Sequence, residues 1–350
     1  MLISKTLRCK VFNPTEKKSQ LLNHEYSNFQ IYVRTGRDFG IYSASKATFD
    51  FRYKRKARRK KQPLPLNHHF SKFKITNHKL TPYWFRIPVH GKRGGIWLPI
   101  KPHEEIDFTW EIREAKLFKR KKDFWIYITI RKEVCLKTSY SSVLALDVGE
   151  KVIAAAVLSS VRKPIFLGRE VRGIRRHHAW LRKRLQERGL FKKLKEMRGK
   201  EKRRVELVLH EVSKEIVELA ERNNSVIVLG DLKGIRRDDR GKRFNRIVNS
   251  FPFNKLSFFI EYKAHLEGIA VVKMKEHYTS KTCSRCGEEG KRIKQGLFKC
   301  PNCKYQANAD YNGAMNILKR SWKHIFQDGA VAFSPELPMT EQTRAEAHNI

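Results

Sequence analysis

Acidic residues are scarce in this 350-residue chain: 35 Asp and Glu stand against 75 Lys and Arg, a formal net charge of +40. A compact globule with that excess repels itself, so a polyanionic partner is the expected counterweight; a membrane-surface or ribosomal protein is the plainer alternative. Long apolar runs are missing too. No stretch of about eighteen apolar residues occurs, which excludes reading any segment as a membrane-spanning helix. The start, Met1-Leu2-Ile3-Ser4-Lys5, has no apolar run followed by a small-residue cleavage site, so no secretory leader is expected and a cytoplasmic place is. Cysteine is sparse, with 6 residues, and four of them form two Cys-x-x-Cys pairs. That pattern argues against a disulfide scaffold and for metal. Cys9 and Cys135 have no such partners and read as small strand residues.

Along the chain, Leu7, Cys9 and Val11 alternate with Arg8 and Lys10 as in a strand. Asn13-Pro14-Thr15 then opens a helical but weakly patterned stretch, which ends in the cationic run Lys54–Lys61. Like charges at that density stay unfolded or bind phosphate. Residues 70–137 are rich in aromatic and β-branched residues, with turns at Gly94-Gly95 and Lys121-Lys122-Asp123. Trp84, Trp97 and Trp125 read as core residues of alternating strands, although such rings also stack on exposed bases. We therefore expect a β-rich domain over 1–138 with a basic helical insertion at about 13–62.

Beyond the Ser139–Ser142 linker, apolar runs predict strands at Val143–Val148, Val152–Leu158 and Pro164–Leu167. Helices follow at about 170–196 and 200–222, then a buried strand Val226–Leu229, a helix Phe258–Glu267 and a strand Ala270–Met274. Strand–strand–strand–helix–helix–strand–helix–strand, closed by a last helix, is what an RNase H-like α/β fold needs. The pieces expected are 139–281 for its first part, 282–304 for an inserted metal ribbon, 305–320 for its last helix and 321–350 for a poorly ordered tail.

The ribbon is Cys283-x-x-Cys286 and Cys300-x-x-Cys303. Four thiolates suit tetrahedral Zn²⁺ and leave no open position for water, so the site reads as structural. Gly287 follows the first knuckle, whereas Lys304 takes the equivalent place in the second. Two acids draw notice: Asp147 ends a buried strand, and Asp310 opens a helix beside the ribbon. Alone, each reads as a cap; paired, they are hard oxygen ligands of the kind Mg²⁺ takes in two-metal nuclease sites.

Several segments resemble the transposon-encoded TnpB (OrfB) family, relatives of the type V CRISPR effectors. They are Leu146-Asp147-Val148-Gly149, Val226–Ile235, Glu261-Tyr262-Lys263-Ala264, Thr279–Gly287 and Asn308–Ile317. The resemblance is specific over about 140–320 and looser over 1–138, which is similar to the family's wedge and recognition regions. It implies a RuvC-like (RNase H-like) nuclease domain with an inserted zinc ribbon, behind a β-rich wedge domain with a reduced helical insertion. It also implies RNA-guided cutting of DNA, with a guide RNA derived from the transposon end, target DNA as the other partner, and Zn and Mg as cofactors. In a prokaryote such a protein sits at the nucleoid; the oligomeric state is left open.

By that resemblance Asp147 and Asp310 match the first and third catalytic acids. The second motif departs from the family's Glu-Asp-Leu, reading Gly230-Asp231-Leu232. Asp231 is adjacent, but neighbours on a strand point to opposite faces; Glu276, at the end of a neighbouring strand, is the preferred replacement. Lys233, Arg236, Arg237, Arg240, Lys242 and Arg243 crowd the following loop, either to hold a phosphate backbone or simply solvated. Three functions stay open: a guided endonuclease, a guided binder that does not cut because Gly230 replaces the acid, and a plain zinc-ribbon RNA-binding protein.

Overall fold

The computed structural model describes residues 1–53, 61–66, 69–231, 252–275, 279, 281–294 and 296–327. The chain divides into two compact units, Met1–Glu133 and Val134–Ile350.

In the first unit, period-two alternation builds a seven-stranded sheet. Its strands are β1 (Leu2–Val11), β2 (Leu64–Leu66), β3 (Lys72–Ile75), β4 (Tyr83–Val89), β5 (Lys92–Pro102), β6 (Glu111–Arg120) and β7 (Asp123–Glu133), in the order β2-β6-β7-β1-β5-β4-β3. β6 and β7 form the hairpin expected at Lys121-Lys122, with Lys121 at φ 55°. Two helices interrupt the strands, α1 (Glu16–Thr35) and α2 (Ser43–Tyr53). The first buries Leu22, Tyr26, Phe29 and Val33. The tryptophans correct the expectation. Phe85, Leu98 and Ile126 take the buried phase of their strands, so the adjacent Trp84, Trp97 and Trp125 fall on the opposite, half-exposed phase. Most of the cationic run Lys54–Lys61 lies outside the described residues.

The second unit starts earlier than the expected boundary at 138. Lys137 N–H donates to the Gly268 carbonyl at 2.7 Å, and Tyr140 Oη accepts from Ala270 N–H at 2.7 Å. Those bonds tie the linker to this unit. Cys135 is exposed and outside any strand, unlike Cys9, which is buried in β1.

The core here is a five-stranded sheet of β8 (Ser142–Asp147), β9 (Ala154–Leu158), β10 (Pro164–Leu167), β11 (Ser225–Asp231) and β12 (Val271–Lys275), in the order β10-β9-β8-β11-β12. The first three strands pair antiparallel, while β11 runs parallel to both β8 and β12. β8, β9 and β11 are buried almost throughout, which explains why their sequences are apolar runs rather than alternations. The helices are α3 (Glu170–Glu187), α4 (Phe191–Glu196), α5 (Lys200–Arg222), α6 (Phe253–Leu266) and α7 (Ala309–Gln327). Gly189, at φ 64°, breaks the first predicted helix into α3 and α4. In α5, Val205, Leu209, Val212 and Ile216 are buried at helical spacing, each worth about 1.5–3 kcal/mol. α7 runs past the stop expected at residue 320: Ser321 is buried and Trp322 packs on the core, so the apolar stripe continues. A small antiparallel sheet of β13 (Lys291–Lys294), β14 (Leu297–Lys299) and β15 (Gln306–Ala307) carries the cysteines. No helix among the described residues is long and apolar enough to cross a membrane.

Candidate functional site

Burial of Val143–Leu146 fixes the end of β8, and Asp147 is its last residue, half-buried at the sheet's rim. Asp310 lies in the first turn of α7, where Asn308 caps the helix. The Asn308 Oδ1 accepts from Asp310 N–H at 2.8 Å and Tyr311 N–H at 3.3 Å. The positive end of the helix dipole favours an anion there.

The two acids, separated by most of the second unit's sequence, meet. Asp147 Oδ2 lies against the backbone of Gly313, one turn into α7, and Asp310 Oδ1 lies near Gly149, in the turn leaving β8. Burial, and then the Asp310 charge, push Asp147 up to about 7; Arg292 pulls the other way. Arg292 comes from β13 and donates to Asp310 Oδ1 at 2.8 Å. Asp310 itself is 7 % exposed, and its Oδ2 is buried with no hydrogen-bond partner. A buried, unpartnered carboxylate oxygen beside a second carboxylate is a donor set that a hard cation would satisfy. These observations fit Mg²⁺.

The second-motif position is next to this pair. β8 and β11 are parallel with Leu146 opposite Leu229, so one step further Gly230 lies beside Asp147. Gly230 is buried and brings no ligand atom. Asp231 follows on the opposite phase of β11, opposite Lys275 in register. Glu276 lies outside the described residues. So do Lys233, Arg236, Arg237, Arg240, Lys242 and Arg243.

The ribbon geometry is that of a metal site. The four sulfurs of Cys283, Cys286, Cys300 and Cys303 lie within 4.8 Å of one another. Cys283 to Cys303 is 3.7 Å and Cys286 to Cys300 is 3.6 Å. Four sulfurs held about 2.3 Å from a central Zn²⁺ in a tetrahedron stand about 3.8 Å apart. Gly287 and Lys304 both adopt left-handed backbone, φ 84° and 58°, so the two knuckles turn alike despite the different residues.

Sequence reasoning missed how the ribbon is fastened to α7. Asn312 Oδ1 accepts from Ser284 N–H at 2.9 Å, and its Nδ2 donates to the Thr282 carbonyl at 2.8 Å. Asn316 Nδ2 donates to the carbonyls of Thr279 and Thr282 at 2.8 and 2.7 Å. Both side chains are buried. A signal was present: Asn308, Asn312 and Asn316 recur every four residues, on one face of a helix that is otherwise apolar there. Arg292 and Gly313 had no such signal.

Comparison with known proteins gives a consistent picture. Residues 253–317 match the family model described as Cas12f1-like, TNB domain. The chain is 32% identical over 220 residues to the TnpB-like protein MJ0751 of Methanocaldococcus jannaschii, covering 59% of this chain and 76% of that one. It is also 32% identical over 260 residues to the CRISPR-associated endodeoxyribonuclease Cas12f2 of a Micrarchaeota archaeon, covering 67% of this chain. Here the chain spans about half the relative's length, 47%. Among solved structures, the AacC2c1-sgRNA-extended non-target DNA ternary complex contains a chain that superposes with TM-score 0.50 at 10% identity, over 77% of this chain and 56% of that one. That likeness concerns the fold.

Proposed function

The chain belongs to the TnpB-like family, and on that premise we propose that it is an RNA-guided DNA endonuclease whose cutting site is the Asp147–Asp310 pair. The observation that carries this reading is the meeting of those two acids at one rim of the sheet, with a carboxylate oxygen of Asp310 left buried and unpartnered. The strand order β10-β9-β8-β11-β12, three antiparallel strands followed by two parallel ones, agrees with an RNase H-like, RuvC-type domain. In this reading the first unit is the wedge with its reduced recognition insertion, and the guide is an RNA from the transposon end. Base pairing then selects the target, and the protein reads a short flanking motif and duplex shape.

Asp147 and Asp310 would hold Mg²⁺, which supplies an activated water and a counter-charge for the leaving 3′-oxygen. Burial and then the Asp310 charge raise Asp147 to about 7, so it would release its proton to make way for a bound cation. Arg292 brings a fixed cation to the same place and counters negative charge gathering on the phosphoryl oxygens. Asn312 and Asn316 keep the ribbon, and so Arg292, in register with Asp310. The second acid is Glu276, with Asp231 as the alternative.

A second reading has a specific observation behind it. Gly230 occupies the buried position beside Asp147 where the family's pattern has Glu, which favours a guided binder that does not cut. Purified ribonucleoprotein, its copurified RNA and a matched target with Mg²⁺ separate the two. Cutting that disappears in Asp147→Ala supports the nuclease. Guide-dependent occupancy without cutting, converted to cutting by Gly230→Glu, supports the binder. Heterogeneous RNA with no transposon-end sequence enriched removes the guide from both.

A further inference from the structure

The solvent face of α3 carries rings and cations that its packing does not require. Val171 and His178 are buried, and Ile174 packs against the core. On the opposite face Gly173, Arg176, His177, Trp180, Lys183 and Arg184 are all exposed, at helical spacing. Amphipathic helices turn large apolar residues inward. Trp180 instead is 55% exposed, more than any other tryptophan among the described residues. Its ring centroid lies 6.2 Å from that of His177, and the Arg184 guanidinium sits over the ring at 5.6 Å. Gly173 weakens the helix interior, yet a Cβ there would meet nothing within 4 Å, so no neighbour in the fold demands its absence. It leaves bare backbone beside the cations.

The stripe also has a direction. Arg172 Nε lies 3.8 Å from Glu150 Oε1, so the first turn of α3 stands beside the loop that leaves Asp147. From there the 18-residue helix runs for about 27 Å. Its flank is strongly basic: Arg169 to Arg204 holds sixteen Lys or Arg against four acids.

We propose that this face is a track for single-stranded DNA, with phosphates on Arg176, Lys183 and Arg184 and one base stacked on Trp180. An exposed indole offers a flat π-face that only an unpaired, unstacked base reaches, so a single strand is favoured over a duplex. DNA is favoured over the guide because the stripe starts at the Asp147 loop, where the strand to be cut must lie. The proposal rests on the nuclease reading and names the course of its substrate strand.

The test is binding without cutting. Purified ribonucleoprotein, without added divalent metal, is titrated against a fluorescein-labelled oligo-dT of about 20 nucleotides, read by anisotropy across a salt series. Trp180→Ala is expected to weaken binding about five- to hundredfold, while Trp180→Phe stays within about threefold of wild type. Arg176→Ala with Arg184→Ala should flatten the salt slope by about 1.4. Copurified RNA should be unchanged in all three. Wild-type affinity in Trp180→Ala overturns the proposal, and so does parallel loss of RNA and oligo-dT, which would give the stripe to the guide. A protein that needs Trp180 for oligo-dT but never cuts its target keeps the track and loses the nuclease reading. One that cuts while Trp180→Ala binds normally loses only the track.

Discussion

Gly313 makes room for Asp147. A β-carbon built on Gly313 would stand 2.3 Å from Asp147 Oδ2, far inside van der Waals contact. The close approach of α7 to the end of β8 therefore depends on a residue without a side chain, in a helix interior where glycine ordinarily costs about 1 kcal/mol relative to alanine.

Gly313→Ala sets those two effects against each other. Intrinsic propensity favours the variant, and displacement of the Asp147 carboxylate opposes it. The obstructing atom ends a short side chain that can rotate away, so the melting temperature should change by only a few degrees. Target cleavage should fall at least about tenfold, because the acid pair no longer faces one point. Paired thermal-melt and cleavage-rate measurements check this.

Acid titration should leave a mark on stability. Burial and the Asp310 charge raise Asp147 to about 7 in the folded chain, against an unfolded value of about 3.9. Between those values the folded state binds more protons than the unfolded one, so this group's contribution favours folding at the acidic end and is lost as pH rises to about 7. Asp147→Asn keeps the neutral form at every pH. Its melting temperature without divalent metal, relative to wild type, should therefore rise from pH 5 to pH 8. Adding Mg²⁺ should stabilise wild type more at pH 8 than at pH 5.

The left-handed Lys304 is a local test of the ribbon. A residue with a Cβ pays about 1–2 kcal/mol in that conformation, partly offset here by the Lys304 Nζ hydrogen bond to the Pro301 carbonyl at 2.7 Å. Lys304→Gly relieves the strain, loosens the unfolded chain and removes the bond. A net gain of about 0.5 kcal/mol is expected, seen as slower zinc loss to a chelator.

Metal removal should act on the acid site from a distance. The ribbon's buried cluster is only Cys283, Phe298 and Cys300 against Ala309 of α7, with Cys303 and Tyr305 partly buried beside them, too small to hold three short strands without metal. About one zinc per chain is expected by elemental analysis. In Cys300→Ser the ribbon should open, Arg292 should leave Asp310, and cleavage should disappear. Far-UV circular dichroism should barely change, because the helices of the five-stranded core do not depend on the ribbon.

Much of the second unit was legible because its strands and helices announce themselves by period. β8 and β11 are unbroken apolar runs, α5 has a four-residue stripe, and the two Cys-x-x-Cys pairs state their own chemistry. The meeting of Asp147 and Asp310 could be expected only from the family pattern, since nothing local links the end of β8 to the start of α7. Arg292 and Gly313 stayed hidden for the same reason: a surface-looking arginine and a helix glycine acquire roles only when the ribbon folds back. Trp84, Trp97 and Trp125 show the opposite failure. The alternation is plain in the sequence, but its phase is not, because each tryptophan adjoins another large apolar residue that takes the inner position.

Divalent-metal affinity, measured by calorimetry on wild type, Asp147→Asn, Asp310→Asn and the double variant, tests most directly whether these two acids make one site. A shared site predicts that each single variant loses as much affinity as the double, with Mg²⁺ or Mn²⁺ as probe. Wild-type affinity in either single variant, or losses that simply add, would contradict it.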